Sequence, residues 1–331
     1  MADTQVQHYV PRFLLRRFGT GKKEHVHVFD KQTGKRFTSS ARKIAAEKGL
    51  YDFKFKGVTL TLEPGLAELE ARAARHIARI TQERRLDVLN PIQRGELARF
   101  LAVQMVRTPA FWETSHEMFE RMENWLRKEG MREDWFYPPA ELGTRENAEK
   151  ATVARAIYDA PRDLGPALVA KDWVLLQTDR KHPYVIGDHP LAMHNMIDHS
   201  PRGNLGLKVE GIEIYFPLSP QLSLGLWCPS HREFLMNGIS RLTAASERQP
   251  WLAERFSGAW AGAIQMMEAI TKGIPLPSQA ENVLFFNSLQ ISTAERFVFS
   301  ADSDFSLAED MIKENSELRH GRRLVEGTGK F

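Results

Sequence analysis

The hydrophobic pattern changes period along the chain, and each change predicts a change of element. Residues 25–29 alternate as His-Val-His-Val-Phe before the turn-like Asp30-Lys31-Gln32-Thr33-Gly34-Lys35, which predicts a β-hairpin. Residues 41–49 have helical character and stop at a glycine, and 58–62 predict a further strand, so 1–62 reads as a small basic mixed lobe. From Pro64 onward, Leu66, Leu69, Ala73, Ile77 and Ile80 recur at three- and four-residue spacing with charges between them, a long amphipathic helix over 64–85. Helices over 91–108, 111–128 and 145–158 follow, making 63–165 a helical bundle.

Residues 172–178 and 183–186 then predict two strands joined by a charged turn. A second pair, 211–216 and 222–227, lies around Pro217-Leu218-Ser219-Pro220, and the close spacing predicts an antiparallel sheet over 170–230. Helix returns over 251–272 and 278–289, within a mainly helical 248–318; 296–300 is a strand, 306–318 a last helix and 319–331 a frayed tail. With no strict βαβ alternation, the class is α+β in one globular domain over 1–318.

One helix breaks its own pattern. Over 91–108, Leu97, Phe100, Leu101 and Met105 form an apolar stripe with Gln104 near its centre and Arg107 at its edge. A buried amide or guanidinium left without partners costs about 1–3 kcal/mol, so this helix is expected to point polar groups into a structured polar pocket.

Composition narrows the class. At 331 residues and 42% hydrophobic content the chain can bury a sizeable core. No apolar run reaches membrane-helix length and residues 1–20 carry no signal-peptide pattern, so the expected compartment is cytoplasmic. The single cysteine, Cys228, excludes an intrachain disulfide and a cysteine-rich zinc site. The net charge of +3 hides an asymmetry: residues 1–60 hold thirteen Lys/Arg, Arg12, Arg16 and Arg17 among them, against five acids. That lobe suits nucleic acid, nucleotide phosphate or an acidic partner, or is simply a solvated surface.

Several motifs, taken in order, carry a family resemblance. His8-Tyr9-Val10-Pro11-Arg12-Phe13-Leu14, Gln104-Met105-Val106-Arg107-Thr108-Pro109, Asp172-Trp173, Gly187-Asp188-His189-Pro190, Phe216-Pro217-Leu218-Ser219-Pro220, and Asn287 before Ala294-Glu295-Arg296-Phe297 together resemble a largely bacterial family of unknown function, number 4238. The resemblance spans nearly the whole chain. It implies a His-Tyr-x-Pro signature, a Gln-x-x-Arg helix, an Asp-x-Pro turn after a strand and a Pro-Leu-Ser-Pro segment, and supplies no activity. Where members often carry Ser-Asp-Asn-Pro, this chain has Gly187-Asp188-His189-Pro190.

The leading candidate chemistry unites His8, Gln104, Arg107 and Asp188. A His–carboxylate pair holds a general base in one tautomer, Arg107 can bind a phosphate or carboxylate, and Gln104 can orient a water or substrate. Such a group would suit a hydrolase acting on a phosphate-bearing substrate, a nuclease among the options, with Arg12, Arg16, Arg17 and Asn287 as binding residues. The same residue types would equally serve a buried hydrogen-bonded hub. The alternative function is a non-catalytic module binding nucleic acid or protein through the basic surface; a homodimer through the helix over 64–85 is open.

Other signals are weaker. His182, His189, His194 and His199 lie among Asp188 and Asp198, but no His-Glu-x-x-His spacing is present and no metal is assigned. His25 and His27 share one strand face without a third ligand. Cys228-Pro229-Ser230-His231 is expected to be a structural cysteine at a strand end, and Ser219 lacks a nucleophile elbow. Phe111, Trp112, Phe119 and Trp125 are expected to pack. Phosphate-loop and dinucleotide motifs are absent, so the sequence names no cofactor.

Overall fold

The computed structural model describes residues 6–21, 24–131, 140–197 and 204–321. The N-terminal segment runs β1 (Val6–His8), α1 (Arg12–Leu15), the hairpin β2 (His25–Asp30) and β3 (Lys35–Ser40), β4 (Ala46–Lys48), and the hairpin β5 (Asp52–Phe55) and β6 (Val58–Thr61). The first expected hairpin is present, with Asp30 opposite Lys35 and Gly34 at φ +71° in the turn between them. The helix expected over 41–49 is not. Ala45 takes a left-handed φ of +56°, which ends any helix there, and β4 pairs with β1 instead, Ala46 opposite His8.

The helical layer comprises α2 (Glu63–Glu83), α3 (Pro91–Val106), α4 (Pro109–Lys128), α5 (Arg145–Asp163) and the short α6 (Gly165–Val169). Helix α3 starts on a capping box, Asn90 accepting from the Gln93 amide and Gln93 from the Asn90 amide. Leu97, Phe100 and Leu101 are fully buried, each worth about 1.5–3 kcal/mol of burial. Phe100 packs between Phe13, ring centres 5.7 Å apart, and Phe216, edge-on at 6.2 Å. Helix α2 sinks Leu66, Ala73, Ile77 and Ile80 into the same core, spending its apolar stripe within the chain.

The remaining elements are β7 (Asp172–Gln177), β8 (Ile186–Gly187), β9 (Ala192–His194), β10 (Glu213–Ser219), β11 (Leu222–Trp227), α7 (Pro229–Arg248), α8 (Trp251–Arg255), α9 (Ser257–Lys272), β12 (Pro275–Pro277), α10 (Ala280–Thr293), β13 (Phe297–Ser300) and α11 (Ser306–Glu314). A five-stranded sheet has the order β12-β7-β11-β10-β9, antiparallel except for β12 along β7. Alternation gives it two faces: Trp173, Leu175, Phe216 and Leu224 enter the core shared with α3, while Val174, Leu176, Tyr215 and Trp227 enter a second core with α10. A four-stranded antiparallel sheet, β3-β2-β13-β8, binds the N-terminal hairpin to the C-terminal strand, so the basic lobe shares a sheet with the end of the chain.

Three further expectations are corrected. The strand expected over 183–186 contributes only Ile186 to β8, which joins the sheet of β13 rather than pairing with β7. Residues 251–272 form two helices broken at Phe256, and the twenty-residue α7, unread in the sequence, precedes them. The last helix ends at Glu314, before a single 3-10 turn over Ser316–Arg319. Arg319 donates to the carbonyls of Lys31 and Gln32, and the Gly321 amide to Glu295, so the chain is still docked where fraying was expected to begin; 322–331 lie outside the described residues. Among the described residues no helix is long and apolar enough to cross a membrane.

Candidate functional site

Gln104 is fully buried and makes bonds in both directions. Its Nε2 donates to the Tyr9 carbonyl at 2.8 Å, and its Oε1 accepts from Arg107 Nε at 2.8 Å, the three-residue offset placing both on one helix face. Arg107, 1% exposed, sits at the C-terminal end of α3. Its Nη1 donates to Glu70 Oε1 at 2.7 Å and the guanidinium lies 5.8 Å from the Phe100 ring centre. Its Nη2 is buried without a hydrogen-bond partner.

Glu70 is the member that sequence reasoning missed. It falls on the buried line of α2, four residues after Leu66 and three before Ala73, so an acid interrupts an apolar stripe there just as Gln104 does in α3. Its side chain is 25% exposed, against 1% for its partner.

His8 ends β1 in the same neighbourhood. Burial lowers its pKa, opposed by Glu70 and by hydrogen bonds to the carbonyls of Arg42 and Ala41, so the ring is neutral near pH 7. The ring Nε2 is buried without a hydrogen-bond partner. Tyr51 donates its hydroxyl to the His8 carbonyl at 3.0 Å, and its amide donates to Gln7 Oε1 at 2.6 Å. Burial, outweighing the Arg107 charge, pushes the Tyr51 phenol up and keeps it a donor.

Asp188 stands in a different hub. Its carboxylate accepts the backbone amides of Glu295 at 2.6 Å, Arg296 at 2.8 Å and Phe297 at 2.8 Å, and it makes no hydrogen bond to His8, Gln104 or Arg107. Burial raises its pKa to about 6 despite the three amides and the charge of Lys31. The two hubs touch through Thr108 Oγ1 and His189 Nδ1, 2.6 Å apart, with burial lowering the His189 pKa to about 4. This bond joins the Gln-x-x-Arg-Thr-Pro segment to the Asp-His-Pro segment.

Asn287 is spent on the fold. Its amide brackets the Pro183 carbonyl at 3.0 Å and the Val185 amide at 2.9 Å, and one turn later Gln290 brackets the Gly187 amide and the Pro190 carbonyl. These two side chains take the place of a neighbouring strand for residues 183–190. The N-terminal arginines are also engaged: Arg12 and Arg16 both pair with Glu24, and Arg17 donates to Thr81.

The weaker signals resolve individually. His182 pairs with Asp179 and His194 with Glu213, while Asp198 and His199 lie outside the described residues. Among the described residues no group of three or more His, Cys, Asp or Glu is placed to hold a metal ion. The His231 ring bonds the Gly211 carbonyl at 3.0 Å rather than the Cys228 thiol. Phe111 and Trp112 pack on the core, whereas Trp125 is 57% exposed.

A family model described as a protein of unknown function (DUF4238) matches residues 6–304. Neither a curated protein nor a solved structure gives a match.

Proposed function

The chain belongs to the DUF4238 family, and from that premise and the geometry of the first hub we propose that it is a hydrolase that holds a phosphate-bearing group against Arg107, with His8 as its proton acceptor. One observation carries this reading: Arg107 Nη2 and His8 Nε2 are both buried and unpartnered, two nitrogens in the surroundings of the same carboxylate, Glu70. Leaving such groups unsatisfied costs about 1–3 kcal/mol each, a cost that a bound ligand or water would relieve.

The chemistry follows from the donor types. A water held by His8 Nε2 attacks the phosphorus and gives its proton to the imidazole. Arg107 Nη2 stabilises the charge developing on a non-bridging oxygen. The bond to the leaving oxygen breaks, and His8 returns the proton to it. Glu70 steadies the imidazolium, the role the sequence assigned to Asp188. Gln104, with both ends already bonded, is a positioning residue that fixes the Arg107 side chain.

The test is hydrolysis of bis(p-nitrophenyl) phosphate by wild type and His8→Gln, with thermal unfolding of both in parallel. Turnover that falls at least about 100-fold in the variant at an unchanged unfolding temperature supports the reading. Equal rates, or no turnover by the wild type, count against it.

A second reading, nucleic-acid binding through the basic N-terminal surface, is favoured by thirteen cations against five acids in residues 1–60. The internal pairing of Arg12, Arg16 and Arg17 weakens it. It requires affinity for single- or double-stranded DNA to fall steeply with salt and to be insensitive to His8→Gln.

A further inference from the structure

On the other face of the five-stranded sheet lies a cleft of about 630 Å³, bounded by β10, β11, α7, α9 and α10. Its walls are aromatic: Phe234 at the rim, 77% exposed, Phe285 beside it, and Trp227 and Phe286 deeper. Tyr215 lies at the base, its ring 4.4 Å from that of Phe286.

The polar groups in this cleft gather on one carboxylate. Glu213 Oε2 accepts the Tyr215 hydroxyl at 2.8 Å and lies 3.2 Å from His194 Nδ1. Its Oε1 is 3.6 Å from His231 Nε2, which also lies 3.0 Å from the Gly211 carbonyl. An ionised carboxylate only accepts, so His194 Nδ1 carries a proton and its Nε2 is left to bond elsewhere. A carboxylate at one imidazole nitrogen fixes tautomer and orientation for work at the other. The ring is further held edge-on to Phe285, 4.8 Å between centres. Burial, with Glu213 beside it, pushes the Tyr215 phenol up, so it stays a donor to the carboxylate.

The charge of the site selects its occupant. Among the described lining residues there is no Lys or Arg, and Glu213 is the sole carboxylate. The carboxylate disfavours an anion there, and no cation among those residues offsets it. The side-chain amides of Gln265, Gln279 and Asn282 also line the cleft and make no hydrogen bond within the described chain. Aromatic walls, free amides and one carboxylate with its two imidazoles suit a flat molecule with a polar edge and a basic nitrogen, since ring faces attract cations and the carboxylate accepts the proton.

We infer that this cleft binds a flat cationic nitrogen heterocycle against its aromatic walls, with the protonated ring nitrogen donating to the His194–Glu213 pair. The site is separate from the Arg107 hub and opposite to it in ligand charge.

Fluorescence titration with proflavine, a flat aminoacridine cation, tests this against 1-anilinonaphthalene-8-sulfonate, an aromatic anion. Saturable one-to-one proflavine binding is expected, weakened about tenfold by Glu213→Gln, which keeps an acceptor for Tyr215 but removes the charge. Phe234→Ala, at an exposed rim position that folding does not need, should weaken proflavine several-fold, and His8→Gln should leave it unchanged. Proflavine binding that ignores both Glu213→Gln and Phe234→Ala overturns the assignment. So does displacement of proflavine by the anion at comparable concentration, which would mark a merely greasy surface.

Discussion

Removing the acid of the Glu70–Arg107 pair should cost more stability than removing the base, because the two ends are buried to different depths. Arg107 is 1% exposed and Glu70 25%. In Glu70→Leu the guanidinium keeps Gln104 and the Phe100 face but, still buried, loses the carboxylate of its one ion pair among the described residues. Breaking a buried pair in that way costs about 3–5 kcal/mol. In Arg107→Met, a change of similar volume, no buried cation remains, Glu70 turns to solvent, and the chief loss is the donor to Gln104 Oε1, about 1–3 kcal/mol. The double variant should resemble Arg107→Met, so the pair couples by about 3–5 kcal/mol in a double-mutant cycle. Urea unfolding of the four proteins at pH 7 reads these values, with unchanged slopes confirming that the denatured state is comparable. If Arg107→Met costs as much as Glu70→Leu or more, the guanidinium is not the strained member and the reasoning from its burial fails.

Two further predictions concern the second hub. The Asp188 carboxyl, raised to about 6 from an ordinary 3.8, favours the protonated form in the folded chain, so its stabilising contribution is full below about pH 4 and is lost as pH rises through 6. Relative to Asp188→Asn, the wild type should therefore lose about 2.4 kcal/mol between pH 4 and pH 7 in chemical denaturation; a difference that does not vary with pH would show that the three amides offset burial in full. Gly187→Ala would place a methyl 2.9 Å from the Gln290 carbonyl oxygen and 3.0 Å from Ala294 Cβ, where backbone cannot yield cheaply. A loss of about 1–3 kcal/mol in thermal or urea unfolding is expected, and a neutral substitution would mean that β8 and α10 are not packed as described.

What the sequence could disclose depended on the range of the forces involved. The apolar stripe of α3 made Gln104 and Arg107 legible as buried polar groups, because a helix converts spacing into a face. The same logic applied to α2 would have exposed Glu70, but with Glu68 and Arg72 two residues to either side the acid passes for one more solvent-facing residue. Asp188 could not be placed from sequence, since its three amide partners lie more than a hundred residues away and carry no side-chain signature. Residues 183–186 have strand composition, yet the Pro183 carbonyl and the Val185 amide bond the Asn287 side chain and the Tyr184 amide bonds the Pro220 carbonyl, which no pairing pattern reveals. Residues 41–49 have helix-favouring composition, and the left-handed Ala45 together with β1 pairing overrides it. Helix α7 contains no fully buried residue; Leu235, Ile239, Leu242 and Ala245 keep a helical spacing and are half-buried, a stripe the sequence reading passed over.

The reading of the first hub stands on two buried nitrogens without partners, and a crystal structure of the wild type grown with inorganic phosphate tests it most directly. The account predicts an anion within hydrogen-bond distance of Arg107 Nη2, with a water or an anion hydroxyl on His8 Nε2. Both nitrogens bonded to buried water alone, with no anion bound at phosphate concentrations that fill other sites, would contradict it and leave the Glu70–Arg107 pair as a structural hub.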